Sequence, residues 1–253
     1  MAATVFFLDP LPEVGCTAVL DGSEGRHAAT VRRIGIGERI MLADGHGGLA
    51  DSEVTAAEKN RLELTVHARS QIQPPSPTVT VVQALPKAER SELAVELATE
   101  AGADAIVPWQ SSRCVARWDG PKVAKGVARW RSAALAAAKQ SRRAIVPEVS
   151  EPVRTAGVLS LVREVVARGG VVAALHESAA LGLSELSLRS VGEIVLIVGP
   201  EGGISDEEIA SLTEVGAVPV LLGPHVLRTS TAAAVALGAL GVLTDRWGAA
   251  PLS

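Results

Sequence analysis

Apolar and polar positions change their period along this chain of 253 residues. Near the N-terminus the apolar runs are short, as in Phe6-Phe7-Leu8, Arg39 to Ala43 and Leu62 to Ala68, and Asp-Gly and Gly-Gly turns separate them. That spacing predicts a small β-rich domain over residues 1–73. The proline cluster from Gln73 to Pro77 suits neither helix nor sheet interior and marks a seam. Beyond it the pattern alternates strand with helix. Val79 to Leu85 reads as a strand, Glu89 to Ala101 as a helix ended by Gly102, and Ala105 to Pro108 as a strand. A basic helix and an apolar run from Val171 to Leu175 follow. Together these predict an α/β domain over residues 78–253, with a mostly parallel sheet covered by helices on both faces.

Two more apolar runs break into glycine-rich turns, IVLIVGPEGGISDEEI from Ile194 and VPVLLGPHVLRTSTAAAVAL from Val218. A short all-apolar run suits a strand buried on both faces, and in α/β proteins ligands bind where loops leave such strands. Gly199, Gly202 and Gly203 permit close backbone approach, and Pro200 stiffens the turn. Ser205 is placed as a helix N-cap with Glu208 completing a capping box, and Asp206 and Glu207 suit the positive helix end. Those acids make the helix start a poor phosphate cradle. The spacing is not G-x-G-x-x-G and no Walker lysine follows, so a ligand with a cationic centre fits better than a nucleotide triphosphate. A tight turn without any ligand is the plainer alternative.

In the second loop Ser230 or Thr231 is placed to cap an alanine-rich helix expected over Thr231 to Leu243. Arg228 carries a charge that cannot be neutralised, so it needs either a structural ion pair or a ligand. The strand-end pair His176 and Glu177 gains interest from standing beside two such loops.

Charge changes this picture. The net charge of −4 speaks against nucleic acid, yet nine Lys or Arg fall between Arg113 and Arg143 against a single acid, Asp119. Lys122, Lys125 and Arg129 share one helix face, with Arg113 before them and Arg142 after, and Trp118 and Trp130 stand nearby for base or sugar contact. Arg26, Arg32, Arg33 and Arg39 make the first domain locally basic too. A merely solvated basic helix is the alternative. Cys16 and Cys114 are the only cysteines and lack metal-ligand spacing, so neither a disulfide framework nor a metal is expected. Met1 to Leu8 is too short for a secretion signal and no run reaches membrane-helix length, so the expectation is a cytoplasmic protein.

Several segments taken in order resemble the SPOUT class of S-adenosylmethionine-dependent RNA methyltransferases. Within it they resemble the bacterial family that methylates N3 of a uridine in 16S ribosomal RNA. The segments are PKAER from Pro86, ATEAGADAIVP ending at Pro108, SSRCV from Ser111, AAKQSRRAIVPEV from Ala137, the pair at His176, GPEGG from Gly199 and LGPHVLRTSTA from Leu222. The resemblance implies a PUA-like β-barrel over residues 1–73 that helps hold RNA. It implies a SPOUT domain over residues 78–253 with a trefoil knot, working as a homodimer on rRNA of the small subunit. The cofactor would then lie against Leu175, His176, Glu177, Val198, Gly199, Pro200, Gly202, Gly203, Leu222, Gly223, Leu227, Thr229 and Ala232. Arg228 would stabilise charge on the uracil, and Glu201 or His176 would position the base or accept its proton. The chain departs from the family at Glu96-Leu97, where a Gln-Lys pair is usual, at His225 for arginine and at Ser230 for glutamate. Those departures keep a non-catalytic RNA-binding protein of the same fold as the alternative. A nucleotide-dependent oxidoreductase would need the phosphate fingerprint that is missing.

Overall fold

The computed structural model describes residues 5–188 and 190–248, so the first four residues of the Met1–Leu8 segment lie outside the described residues. The chain divides into two compact units.

The first unit holds β1 (Val5–Phe7), β2 (Thr17–Leu20), the short helix α1 (Gly22–Arg26), β3 (Arg39–Ala43), β4 (Gly48–Glu58) and β5 (Arg61–Gln71). They form one five-stranded sheet in the order β1-β3-β4-β5-β2. Only β1 and β3 run parallel; the other pairs are antiparallel. Leu62, Leu64 and Val66 alternate with more exposed neighbours and point into a core with Phe6, Leu20, Ile40, Leu42 and Val54. That is the one-sided burial of an antiparallel sheet. Residues 138–146 also group with this unit, although they follow the proline seam. Main-chain hydrogen bonds explain it: Val146 donates to the Gly45 carbonyl at 2.9 Å and Gly47 to the Ala144 carbonyl at 3.1 Å. Lys139 adds an ion pair to Glu24 at 2.7 Å.

The second unit contains β6 (Thr78–Ala84), α2 (Ser91–Glu100), β7 (Ala105–Gln110), α3 (Pro121–Gln140), whose final turn belongs to the first unit, β8 (Glu148–Val149) and β9 (Val153–Arg154). It continues through α4 (Thr155–Ala167), β10 (Val171–Leu175), β11 (Glu193–Val198), α5 (Asp206–Glu214), β12 (Val218–Val220) and α6 (Thr229–Leu243). The sheet order is β12-β10-β11-β6-β7-β8, with β9 also on β7, and every pairing is parallel. Ile194 to Ile197 are wholly buried, as a central strand covered on both faces requires. Among the described residues no helix is long and apolar enough to cross a membrane.

Two local expectations are corrected. Trp130 does not face solvent: it is fully buried, and its indole N–H donates to Ser91 Oγ at 2.8 Å. Trp118 packs edge-on against it, ring centroids 5.1 Å apart, and covers Gly126, where a Cβ would meet the Trp118 ring at 2.6 Å. Trp130 thus ties α3 to α2 and is no platform for bases, while Trp118 lies half-buried in the loop before α3. The second correction is at α6, which begins at Thr229 with Arg228 as its N-cap and no side-chain capping bond. The Arg228 carbonyl accepts from the N–H groups of Thr231 and Ala232, so Ser230 and Thr231 lie inside the first turn and cap nothing. The Ser230 hydroxyl is buried with no hydrogen-bond partner among the described residues.

Candidate active site

Strands β6, β10, β11 and β12 are neighbours, and the loops leaving their carboxyl ends line one cavity of about 760 Å³. From β10 come Leu175, His176 and Glu177; from β11, Val198 and the whole 199–203 turn; and from β12, residues 221–229, with Ala232 of α6 closing the floor. Every residue that the resemblance assigns to a cofactor therefore lines the same space, together with Arg228 and Glu201. The β6 loop adds Lys87, Glu89 and Arg90, which sequence reasoning did not assign to the site. Their signal was available, because PKAER follows a strand end as the other loops do.

The two glycine loops are built differently. In the first, Ser205 caps α5: its hydroxyl accepts from the Glu208 N–H at 3.2 Å, and the Glu208 carboxylate accepts from the Ser205 N–H at 3.3 Å. A Cβ at Gly199 would meet Ile204 Cγ1 at 2.7 Å, so the turn is closed tightly on itself. The loop is also held from outside. Lys87 N–H donates to Glu201 Oε1 at 3.0 Å, and the Arg113 guanidinium donates to the Gly202 carbonyl at 3.2 Å. In the second loop Gly223 has no heavy atom within 4 Å of a built Cβ, and Val226 is 78% exposed.

Arg228 is exposed and forms no ion pair with any described residue, although it lines the cavity. The structural ion pair weighed for it is therefore missing among the described residues. His176 receives a hydrogen bond from the Ser178 N–H on Nδ1 at 3.3 Å. A neutral imidazole that accepts at Nδ1 carries its proton on Nε2. Glu201 has one oxygen committed to Lys87 and the other without a partner.

Glu207 and Glu208 both stay ionised below the ordinary carboxylate range. For Glu207 the causes are its own helix-start N–H and the Ser205 hydroxyl. For Glu208 burial opposes the charge, but hydrogen bonds from Ser112, Thr155 and Ser205 outweigh it.

The cations assigned to RNA fall into two groups. Arg26, Arg32, Arg33, Arg113, Lys122, Lys125 and Arg142 are exposed and form no ion pair with a described residue. Arg129 is instead bound to Glu92 at 2.6 Å. Among the described residues no cluster of three or more histidine, cysteine or carboxylate side chains could hold a metal.

Residues 73–241 match the RNA methyltransferase domain family, and residues 20–66 match the RNA methyltransferase PUA domain. Ribosomal RNA small subunit methyltransferase E of Mycobacterium bovis is 55% identical over 98% of this chain and 95% of its own length. The protein of that name from Bacillus subtilis is 30% identical over 90% of this chain and 91% of its own length. Among solved structures, the Neisseria gonorrhoeae member bound to S-adenosyl methionine superposes with a TM-score of 0.83 at 29% identity, covering 95% of this chain and 98% of that one. On these grounds the chain belongs to the ribosomal RNA small subunit methyltransferase E family.

Proposed function

We propose that this protein transfers a methyl group from S-adenosylmethionine to N3 of a uridine in 16S ribosomal RNA, as a cytoplasmic homodimer. The observation that carries the reading is the convergence of four strand-end loops on one cavity that Arg228 lines without an ion pair to any described residue. The cavity suits the cofactor. Leu175, Val198, Leu222, Leu227 and Ala232 offer apolar wall for the adenosine, and Glu177, Glu201 and Asp206 offer negative charge near a sulfonium or ammonium group. When bound, S-adenosylmethionine supplies an already activated methyl.

The remaining work falls to the chain's own residues. Uracil N3 becomes a nucleophile only as its proton leaves, so the site must place the base in line and stabilise the anion. The guanidinium of Arg228, unspent on any described carboxylate, meets the charge that develops on the uracil oxygens. Glu201, with its uncommitted oxygen, takes the N3 proton or orients the base, and His176 donates from Nε2. Gly199 to Gly203 form a rigid wall that excludes water from one side.

RNA affinity comes from Arg26, Arg32 and Arg33 with Arg142, which groups with the same unit, and from Arg113, Lys122 and Lys125 of the second unit. Arg129, paired with Glu92, contributes by holding α3 rather than by meeting phosphate. Self-association is supported by the outer face of α6, where Val235 and Val242 are exposed at 43% and 76%, a seven-residue spacing that puts both on one side. The non-catalytic alternative leaves an intact cavity and an unpaired Arg228 without a task.

Two measurements test the proposal. Calorimetry should register S-adenosylmethionine binding, and nucleoside mass mapping of ribosomal RNA should show one N3-methyluridine that vanishes when the gene is deleted. Cofactor binding with an unchanged nucleoside map would remove the assigned substrate.

A further inference from the structure

We infer that Glu208 is a positioning residue for RNA recognition: by gripping Ser112 it fixes where the Arg113 guanidinium stands at the rim of the cavity. The inference rests on the reading of Arg113 as an RNA contact. Glu208 lies in the first turn of α5 and is buried, yet both carboxylate oxygens are fully used. Oε1 accepts from the Ser112 N–H at 2.9 Å and the Thr155 hydroxyl at 2.7 Å. Oε2 accepts from the Ser112 hydroxyl at 2.8 Å and the Ser205 N–H at 3.3 Å. A capping box needs only the last of these four. The other three reach across the unit, two to the loop after β7 and one to the start of α4.

Ser112 is thus held by main chain and side chain together, and Arg113 is the next residue. The Arg113 Nη1 donates to the Gly202 carbonyl, and a Cβ built on Gly202 would stand 3.4 Å from Arg113 Cβ. The path from α5 through Glu208, Ser112 and Arg113 therefore closes on the loop that precedes α5 itself. Arg113 is exposed and lines the cavity; the Glu207 carboxylate lies near enough to feel its charge, but no described carboxylate forms an ion pair with it. Its remaining donors are free for a phosphate of the RNA. A charge aimed by such a ring loses little freedom when it binds.

The test compares Glu208→Gln, Arg113→Ala and the double variant in methylation of unmodified small ribosomal subunits, with cofactor Kd and melting temperature measured on the same samples. Glutamine keeps the shape but presents an amide to donors that need an acceptor. Glu208→Gln should raise the KM for subunits about tenfold, the worth of a charged hydrogen bond, with kcat and cofactor Kd held within about twofold. The double variant should be no worse than Arg113→Ala, because the two residues act as one unit. A fully additive double variant, with Arg113→Ala itself raising KM, would overturn the positioning role and leave Arg113 as an RNA contact. An unchanged KM in Arg113→Ala would overturn both. Should Glu208→Gln fail to fold, Thr155→Val removes one donor to Glu208, together with the acceptor of the Trp109 indole N–H, and Thr155→Ser, which keeps the hydroxyl, is its control. Thr155→Val should give the same KM-only defect in smaller measure and lose it in the Arg113→Ala background; a cofactor defect with normal KM would overturn the inference.

Discussion

The 199–205 loop and the 222–228 loop start from similar sequence, an apolar strand running into Gly-Pro, and end as opposites. The first is over-determined. A capping box closes it, Lys87 N–H holds Glu201, Arg113 holds Gly202, and Glu208 braces the helix that follows. The second is tied down by few contacts: no side chain caps α6, Val226 is exposed, and Arg228 pairs with no described residue. Rigid walls suit a part that must reproduce one shape. A loosely held arm carrying a free cation suits a part that must meet charge as it develops in a substrate that comes and goes.

The largest effect expected from this contrast is at Arg228. Arg228→Ala should cut single-turnover methyl transfer by about 10²–10³-fold, the usual cost of one such donor. Its melting temperature should hold, because no described residue relies on the guanidinium. Lysine should rescue poorly, since a point charge cannot reproduce the planar fork. A loss of melting temperature as large as the loss of turnover would give the arm a structural role and erase the contrast.

Alanine at the two loop glycines sharpens it further. Gly199→Ala drives a Cβ to 2.7 Å from Ile204 Cγ1 and 3.1 Å from the Ile204 nitrogen, which leaves the turn nowhere to give. Overpacking of this kind costs about 1–3 kcal/mol, so cofactor affinity and melting temperature should fall together. Gly223→Ala meets no atom within 4 Å, and its φ is not in the left-handed range. It should leave the melting temperature alone while the methyl, projecting into open space, weakens cofactor binding. Equal thermal losses in both variants would mean that the loops are equally constrained.

The contrast was half legible in the amino-acid sequence, and the reason is the range of the interactions. The capping box at Ser205 and Glu208 spans three residues, so pattern alone finds it. Glu208's other partners lie far off at Ser112 and Thr155, and no periodicity points to them. The start of α6 was misread for the same reason: a hydroxyl-rich run reads as a cap, whereas the backbone turns helical at Thr229, whose carbonyl also receives the Gln83 amide at 3.4 Å. Trp130 looked like a surface aromatic on a basic helix until Ser91 took its N–H in the interior. Strand order, likewise, follows from which apolar faces meet, and the alternation of strand and helix fixes only that the sheet is mostly parallel.

Acid should separate the regions by stability. Glu208 has a folded pKa held below its ordinary 4.5, so its contribution is present above that value and is lost as pH falls through the lower folded one. Melting temperature should therefore drop below pH 4.5 more steeply in the wild type than in Glu208→Gln, which starts lower and has no such carboxylate to protonate. Parallel acid profiles in the two proteins would show that Glu208 carries no stability of this kind.

The smallest effect concerns two serines that sequence treats alike. Ser205 and Ser230 both stand at the start of a helix after a glycine loop, and both are buried. Ser205 bonds the Glu208 N–H, and removing such a cap costs about 0.5–2 kcal/mol. The Ser230 hydroxyl bonds no described residue, so it was desolvated on folding without return. Ser205→Ala should thus lower the melting temperature by a few degrees, while Ser230→Ala should leave it unchanged or raise it slightly. Denaturant unfolding of both variants against wild type makes the comparison directly. A loss at Ser230 that matches the loss at Ser205 would mean that its hydroxyl has a partner in solution, and the second loop would then be anchored as firmly as the first.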